Sequence, residues 1–151
     1  MYISSAAVYG NPQSLSISEE HSPFPISPYR FHKLQGEQLC LEFSKVYDMA
    51  TASAQNFSAY GPRIRRQAMW DIYPKAIFQD SINLQGAGQG NRDFIHALEI
   101  AKTLFITANK APTQGEVYNL GTGIEVTIAE LAELLLEALD YQGSLKFEFK
   151  V

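Results

Sequence analysis

The spacing of apolar positions along the chain predicts strands that alternate with helices. The clearest element is a helix from Ser27 to about Asp48, with Ser27 at the N-cap and Pro28 in the first turn. Its apolar positions are Phe31, Leu34, Leu39, Phe43 and Val46. A second helix is predicted to begin after Thr127, because Glu130 stands three residues on and completes a capping box.

Shorter runs of β-branched and aromatic residues, separated by Gly and Pro turns, predict the remaining elements. The predicted strands are Tyr2–Ser5, Thr51–Phe57, Ser81–Leu84, Asp93–Ile95, Val117–Leu120 and Ser144–Phe149, and the further helices are Met69–Gln79 and His96–Ala108. Prolines at positions 12, 23, 25 and 28 predict a long irregular loop between the first strand and the first helix. This alternation indicates an α/β fold with a largely parallel sheet.

Composition and charge narrow the classes of partner. The chain has 151 residues, 46% of them hydrophobic and 19% charged, which is typical of a globular protein. A net charge of -4 argues against nucleic acid as a partner. Ile128–Leu139, the most apolar stretch, is interrupted by glutamates and too short to span a membrane. We therefore expect neither nucleic-acid nor membrane binding.

The cysteine and histidine content argues against a metal site. Cys40 is the only cysteine, so an internal disulfide and a cysteine-cluster metal site are excluded and a reducing, cytoplasmic location is expected. The three histidines lack the spacing of a helix-borne zinc site. We expect no bound metal. His96 is predicted to start a helix rather than to act as a base, and Asp93 to accept structural hydrogen bonds.

Tyr29 and Lys33 are the first candidate catalytic residues. They stand four residues apart and so share one face of the predicted helix. A lysine ammonium beside a phenol favours the phenolate, so Tyr29 could exchange a proton with a substrate hydroxyl. An exposed helix pair without function has the same spacing. The pair alone does not separate these two interpretations.

Five collinear sequence blocks change that balance. Ser4–Gly10 (SSAAVYG) is followed by Pro25–Glu37 (PISPYRFHKLQGE), Phe57–Arg63 (FSAYGPR), Gly86–His96 (GAGQGNRDFIH) and Tyr118–Gly123 (YNLGTG). Together they resemble the extended short-chain dehydrogenase/reductase family, in its branch of NAD-dependent nucleotide-sugar epimerases and dehydratases. The resemblance implies the C-terminal portion of a Rossmann-like parallel sheet plus a small substrate-binding α/β subdomain.

The same resemblance implies a catalytic set of Ser5, Tyr29 and Lys33. Ser5 would hydrogen-bond the sugar hydroxyl, Tyr29 would exchange its proton, and Lys33 would assist Tyr29 and hold the nicotinamide ribose, so that Tyr29 and Lys33 also bind cofactor. NAD would take hydride from the sugar carbon and return it to the other face of a transient keto-sugar, which inverts that centre. Dehydratases of the family carry acidic residues after the catalytic hydroxyl, whereas Ala6 and Ala7 stand here and favour an epimerase or a simple reductase.

Guanidinium groups are the candidates for binding the nucleotide diphosphate, because their forked N–H groups match phosphate oxygens. The candidate substrate-binding residues are Ser58, Arg63, Arg65 and Arg92, with Arg92 the strongest because it lies within a matched block. Arg65, beside Arg66, also fits a solvated basic turn. Ser58 stands where the family has an asparagine near the sugar phosphates.

Departures from the family pattern suggest a truncated protein. The chain has no Gly-x-x-Gly-x-x-Gly turn for the cofactor pyrophosphate, so a separate N-terminal half would have to supply it. About residues 1–60 would be the remainder of the Rossmann sheet with the catalytic helix, and about 61–151 mainly substrate-binding, with segments that return to the sheet. The alternative is an inactive remnant that binds nucleotide sugar weakly or forms a homodimer through the Ser27–Asp48 helix. Without the strands that precede it in the family, Tyr2–Ser5 is expected to be an apolar sheet edge that promotes self-association.

Overall fold

The computed structural model describes residues 1–12 and 16–148, which form eight strands, four α-helices and one 3-10 helix. In chain order the elements are β1 (Tyr2–Ser5), the 3-10 helix (Ala6–Tyr9), α1 (Pro28–Tyr47), β2 (Thr51–Asn56), β3 (Ser58–Tyr60), α2 (Gln67–Phe78), β4 (Ser81–Gln85), β5 (Asn91–His96), α3 (Ala97–Lys110), β6 (Gln114–Leu120), β7 (Glu125–Thr127), α4 (Ile128–Ala138) and β8 (Ser144–Glu148). Phe149, placed at the end of the predicted final strand, lies outside the described residues.

The sequence missed three short elements and shifted the bounds of others by a few residues. The 3-10 helix, β3 and β7 span only three or four residues, too few for a periodic pattern to be visible. β2 ends at Asn56, one residue before the predicted end, while α2 begins two residues earlier than predicted. The predicted α/β class is confirmed, because β1/β2, β2/β6, β3/β5 and β4/β8 all pair in parallel.

The chain folds into two compact units, each made of two separate segments of the sequence. The first unit combines Met1–Tyr60 with Phe94–Gly123, and the second combines Gly61–Asp93 with the described residues from Ile124 onward. In the first unit three parallel strands lie in the order β1-β2-β6, so β1 forms an edge of that sheet. β3 pairs in parallel with the second half of β5, with Ser58 opposite Phe94.

The central strand β2 is built from small residues because helices pack on it. Ala52, Ser53 and Ala54 are all buried, and both α1 and α3 contact this strand. Small side chains allow a helix to approach a sheet closely. On the α3 side, Ala54 packs in an apolar cluster with Ile95, Ile100 and Leu120.

The second unit has an aliphatic core. Ile72 of α2, Ile82 and Leu84 of β4, and Ala132 and Leu136 of α4 are buried together. α2 packs against α4, and β4 pairs in parallel with β8. The first three residues of β5 pair with β7 in the antiparallel sense, the exception to the parallel pattern.

Local signals account for the helix ends. Thr127 caps α4 through its side chain, and Glu130 bonds back to the Thr127 amide, so the predicted capping box is confirmed. Ser27 occupies the N-cap position of α1 with an extended backbone, but its side chain makes no capping hydrogen bond. The prediction that Ser27 is the N-cap residue is therefore confirmed, and Pro28, whose fixed φ suits the first turn, marks the start of the helix.

Candidate active site

Ser5 lies at the carboxyl end of β1, where the chain turns into the 3-10 helix. Its backbone is extended, and its Oγ accepts a hydrogen bond from the amide of Ala7 at 3.2 Å. This bond uses an acceptor lone pair and leaves the hydroxyl proton of Ser5 able to donate. The carboxyl edge of a parallel sheet is also where ligands bind in α/β folds.

Tyr29 and Lys33 lie on one face of α1, as their spacing predicts. Lys33 Nζ is 5.7 Å from the centroid of the Tyr29 ring, and it donates a hydrogen bond to the backbone oxygen of Ile3 in β1 at 2.8 Å. The Tyr29 side chain is 57% exposed, so a ligand can reach its hydroxyl. Lys33 therefore joins the helix that carries Tyr29 to the strand that carries Ser5.

The contact that links the helix of Tyr29 to the strand of Ser5 is the hydrogen bond from Lys33 to Ile3. In the described part of the chain, no hydrogen bond joins Ser5 to Tyr29. Ile3, whose carbonyl binds Lys33, precedes Ser5 by two residues on the same strand. The position of Ser5 relative to Tyr29 thus depends on how β1 packs against α1.

Tyr2 is a neighbour of Lys33 that sequence reasoning missed. Lys33 Nζ lies 5.3 Å from the centroid of the Tyr2 ring, within the range of a cation–π interaction. Gly36 makes room for this ring, since a Cβ there would come within 2.3 Å of Tyr2 Cζ. Burial, followed by the charge of Glu37, raises the pKa of Tyr2 above its ordinary 10.0, so its phenol stays protonated and its ring neutral.

A buried polar cluster underlies the site. Glu37 is only 5% exposed, and it accepts hydrogen bonds from Ser4 Oγ and from Gln55 Nε2, the latter at 3.0 and 3.1 Å to its two carboxylate oxygens. Ser4 precedes Ser5 on β1, and Glu37 follows Lys33 by one helical turn. Glu37 closes one of the matched sequence blocks, but no local pattern reveals that it pairs with Gln55 across 18 residues.

Each candidate substrate-binding residue has its own local surroundings in the structure. Ser58 opens β3 in the first unit. In the second unit, the Arg65 guanidinium lies 5.6 Å from the Trp70 ring centroid, and Arg92 donates to the backbone oxygen of its neighbour Asn91 at 2.7 Å. Arg63 adopts a left-handed backbone with φ of 70° just after the Gly61-Pro62 turn. No observed contact brings the three arginines to a shared point within the described residues.

His96 is the N-cap of α3. Its Nδ1 accepts from the amide of Leu98 at 3.2 Å, and Glu99 Oε2 accepts from the His96 amide at 3.2 Å, which completes a capping box. The His96 ring packs edge-on against Tyr60. The prediction that His96 starts a helix is confirmed.

Residues 1–12 and 16–148 contain neither a cluster of metal ligands nor a helix that could span a membrane. No group of three or more His, Cys, Asp or Glu side chains there could hold a metal ion. No helix in that part of the chain is long and apolar enough to cross a bilayer.

Comparison with known proteins places these features in a family. The family model for the NAD dependent epimerase/dehydratase family matches residues 1–121. The uncharacterized UDP-glucose epimerase YtcB of Bacillus subtilis (strain 168) is 28% identical over 152 residues, an alignment that covers 100% of this chain and 48% of that protein. The chain thus spans about half the length of this curated relative.

Two solved structures show the same fold. A UDP-N-acetylglucosamine 4-epimerase from Methanobrevibacter ruminantium M1, in complex with UDP-N-acetylmuramic acid, matches with a TM-score of 0.91 at 26% identity over 99% of this chain and 49% of that one. A UDP-glucuronic acid 4-epimerase from Bacillus cereus, in complex with UDP-glucuronic acid and NAD, matches with a TM-score of 0.86 at 28% identity over 99% and 48%. On the strength of the family match, this chain belongs to the NAD-dependent epimerase/dehydratase family.

Proposed function

We propose that this chain carries the proton-transfer residues of a nucleotide-sugar epimerase that works with NAD. The observation that carries the proposal is the Lys33 ammonium, held at 2.8 Å by the Ile3 carbonyl and 5.7 Å from the ring of an exposed Tyr29. A fixed positive charge beside a phenol is what proton exchange with a sugar hydroxyl needs near neutral pH.

Each side chain of the set has a distinct role in this proposal. Tyr29 takes the proton of the reacting sugar hydroxyl and later gives it back. Lys33 keeps its positive charge beside the Tyr29 ring, 5.7 Å from the ring centroid. Ser5, whose oxygen already accepts from the Ala7 amide, donates its hydroxyl proton to the sugar oxygen and so orients it.

The residues present fit one end of NAD. Lys33 has three N–H donors and uses one for Ile3, so two remain for the hydroxyls of a ribose beside Tyr29. The sequence has no glycine-rich turn of the spacing that cradles a pyrophosphate, so these residues do not supply that part of the site. NAD, when bound, would accept a hydride from the sugar carbon and return it.

The residues after Ser5 support epimerisation over dehydration. Ala6 and Ala7 form the start of the 3-10 helix, directly after the candidate catalytic hydroxyl. Elimination of water needs an acid to protonate the leaving hydroxyl and a base to remove a proton. Alanine offers neither.

A nucleotide sugar is the proposed substrate class, because both solved structures described above are nucleotide-sugar complexes. Arg63, Arg65 and Arg92 are the proposed diphosphate ligands and Ser58 a sugar-side contact. The proposal also keeps a reducing, cytoplasmic location, which rests on the single Cys40.

A second candidate function is a non-catalytic module that binds nucleotide sugar weakly or forms a homodimer through α1. The specific observation is a set of large apolar side chains on α1 that are each more than 40% exposed: Phe31, Leu39, Leu41, Phe43, Val46 and Tyr47. Exposed apolar surface of this extent on one helix is typical of an interaction site.

The two candidates are separated by reconstitution. The chain is purified alone and together with the part of the Bacillus subtilis relative that lies outside the matched region, which we expect to be its N-terminal half. Each sample is supplied with NAD and UDP-glucose, and calorimetry with NAD runs in parallel. We expect no turnover by the chain alone and turnover by the mixture, reduced about 10²- to 10⁴-fold by Tyr29→Phe.

Turnover by the chain alone would contradict the need for a second half. If the mixture binds NAD and remains inactive, the epimerase proposal fails and the binding module is favoured.

A further inference from the structure

The loop between the 3-10 helix and α1 is fastened across the carboxyl ends of the strands that carry the candidate site. Near Ser5, the amide of Phe24 donates to the Val8 carbonyl at 2.9 Å. At the end of β6, Asn119 binds the same loop twice. Its backbone amide donates to Glu19 Oε1 at 2.8 Å, and its Nδ2 donates to the Ile17 carbonyl at 3.1 Å.

The side-chain oxygen of Asn119 also accepts a hydrogen bond, from a buried tyrosine. Tyr9 Oη donates to Asn119 Oδ1 at 3.1 Å. Tyr9 is 3% exposed, and burial raises its pKa to about 12, so the phenol keeps its proton at neutral pH and remains a donor. One asparagine thus bonds through its backbone amide, its side-chain nitrogen and its side-chain oxygen, each to a partner about 100 residues away.

Strand register places this asparagine level with the candidate catalytic strand. Asn119 is opposite Gln55 of β2, and Gln55 is opposite Ser4 of β1, the residue before Ser5. Adjacent strands are separated by roughly 4.8 Å, so β6 and β1 are about 10 Å apart. The loop therefore crosses the end of β2, at the edge of the sheet where α/β folds bind ligands.

The rest of the loop segment 16–24 is held by local contacts. A turn is closed by the His21 amide, which donates to the Ser18 carbonyl at 3.1 Å, and the His21 ring packs edge-on against Tyr9 at a centroid distance of 6.2 Å. Gly10 has φ of 71°, and a Cβ there would come within 2.1 Å of the Phe24 carbonyl oxygen. Any larger residue at Gly10 would push this end of the loop away.

We infer that Asn119 is a positioning residue that holds segment 16–24 in place as one wall of the nucleotide-sugar pocket beside Ser5. The role of this wall in substrate binding rests on the proposed function. The fastening of the loop by Asn119 does not, and it is tested separately.

The test uses a Glu-specific endoprotease, because Glu19 and Glu20 lie within the segment and are exposed. Asn119→Asp keeps the side-chain shape and the acceptor for Tyr9 but removes the donor to Ile17. We expect cleavage at these sites to be about two- to tenfold faster than in the parent chain, the scale of one lost hydrogen bond in a local opening. Cleavage at the parent rate, with an unchanged thermal midpoint, would overturn the inference.

Asn109→Asp is the matched control. Asn109 Nδ2 likewise donates to a backbone carbonyl, that of Phe105 at 2.7 Å, but within α3. We expect its cleavage rate at Glu19 and Glu20 to equal that of the parent chain. If both variants accelerate cleavage equally, the effect is general destabilisation and Asn119 has no special role.

Tyr9→Phe is a second and milder variant, which removes only the hydroxyl that donates to Asn119. It should accelerate cleavage by a smaller factor than Asn119→Asp. A parent-like rate in Tyr9→Phe would remove Tyr9 from the assignment and, if Asn119→Asp proves unfolded by circular dichroism, would overturn the inference as a whole.

The substrate arm uses the reconstituted mixture described above. Asn119→Asp should raise the KM for UDP-glucose more than it lowers kcat, because it loosens a wall without touching Tyr29 or Lys33. An unchanged KM would refute the role in substrate binding. A mixture without turnover would instead refute the proposed function, and the protease result would still decide the role of Asn119.

Discussion

The two compact units are stabilised in different ways. The second unit has an aliphatic core in which Ile72 and Ile82 are fully buried. The first unit, beside its apolar cluster around Ala54, places Ser4, Glu37 and Gln55 in its interior, beneath the candidate active site. Apolar packing tolerates neighbours in several orientations, whereas buried hydrogen bonds require one geometry. The region that carries the candidate catalytic residues is the one that uses buried polar contacts.

The largest expected effect on stability is in the aliphatic core. Ile82→Ala should lower the free energy of unfolding by about 2–5 kcal/mol, because it removes buried methylene groups and leaves a cavity. Urea unfolding followed by the fluorescence of Trp70, the single tryptophan, measures this in the second unit. Ile77→Ala is the matched control on an exposed residue of α2, with an expected change within about 0.5 kcal/mol. Equal losses in the two variants would contradict the assignment of this core.

The buried polar cluster gives the next effect in size. Glu37→Gln replaces an acceptor oxygen by an NH₂ donor that faces the Gln55 amide, so it should cost about 1–3 kcal/mol of stability. The exposed Glu133→Gln is the control and should change little. Amide hydrogen exchange of β1 and β2 localises the loss. If protection in these strands stays at the parent level, Glu37 does not join α1 to the sheet as described.

The helix N-caps of the two units are expected to differ in their contribution to stability, and the effect is smaller than that of the buried polar cluster. Thr127→Ala removes the side-chain acceptor for the Glu130 amide and should cost about 1 kcal/mol. Ser27→Ala should be nearly neutral, because the Ser27 hydroxyl makes no capping bond to α1. Thermal or urea unfolding of both variants measures the difference. A larger loss in Ser27→Ala than in Thr127→Ala is the outcome that the structure rules out.

The smallest effect is a pH dependence at the start of α4. Hydrogen bonds from the backbone and side chain of Thr127 lower the pKa of Glu130 below its ordinary 4.5. A depressed native pKa contributes stability above the unfolded value, and this contribution is lost as the pH falls through the native value. The stability difference between the parent chain and Thr127→Ala should therefore shrink on acidification below about pH 4.5. An undiminished difference at pH 3 would show that the Glu130 carboxylate does not accept a hydrogen bond from the Thr127 hydroxyl.

The sequence predictions were accurate where the signal comes from residues close together in the chain, and they failed where an element is too short or a contact joins distant residues. Helix α1 was predicted within one residue at each end, because Pro28 and the loss of apolar spacing after Val46 act locally. β3 and β7 were missed because three residues show no period. Tyr29 and Lys33 share a helix face by spacing alone, whereas Tyr2 lies against Lys33 only because β1 packs beside Gly36.

By itself, the sequence determined the alternation of elements, the family through its five collinear blocks, and the pairing of Tyr29 with Lys33. These depend on contacts within a few residues or on the order of motifs along the chain. Tertiary structure alone decided the rest: that Glu37 is bound by Ser4 and Gln55, and that Asn119 bridges Tyr9 and the loop at Glu19. Such partners are far apart in the chain, so their meeting depends on strand register and helix packing, which no local pattern encodes.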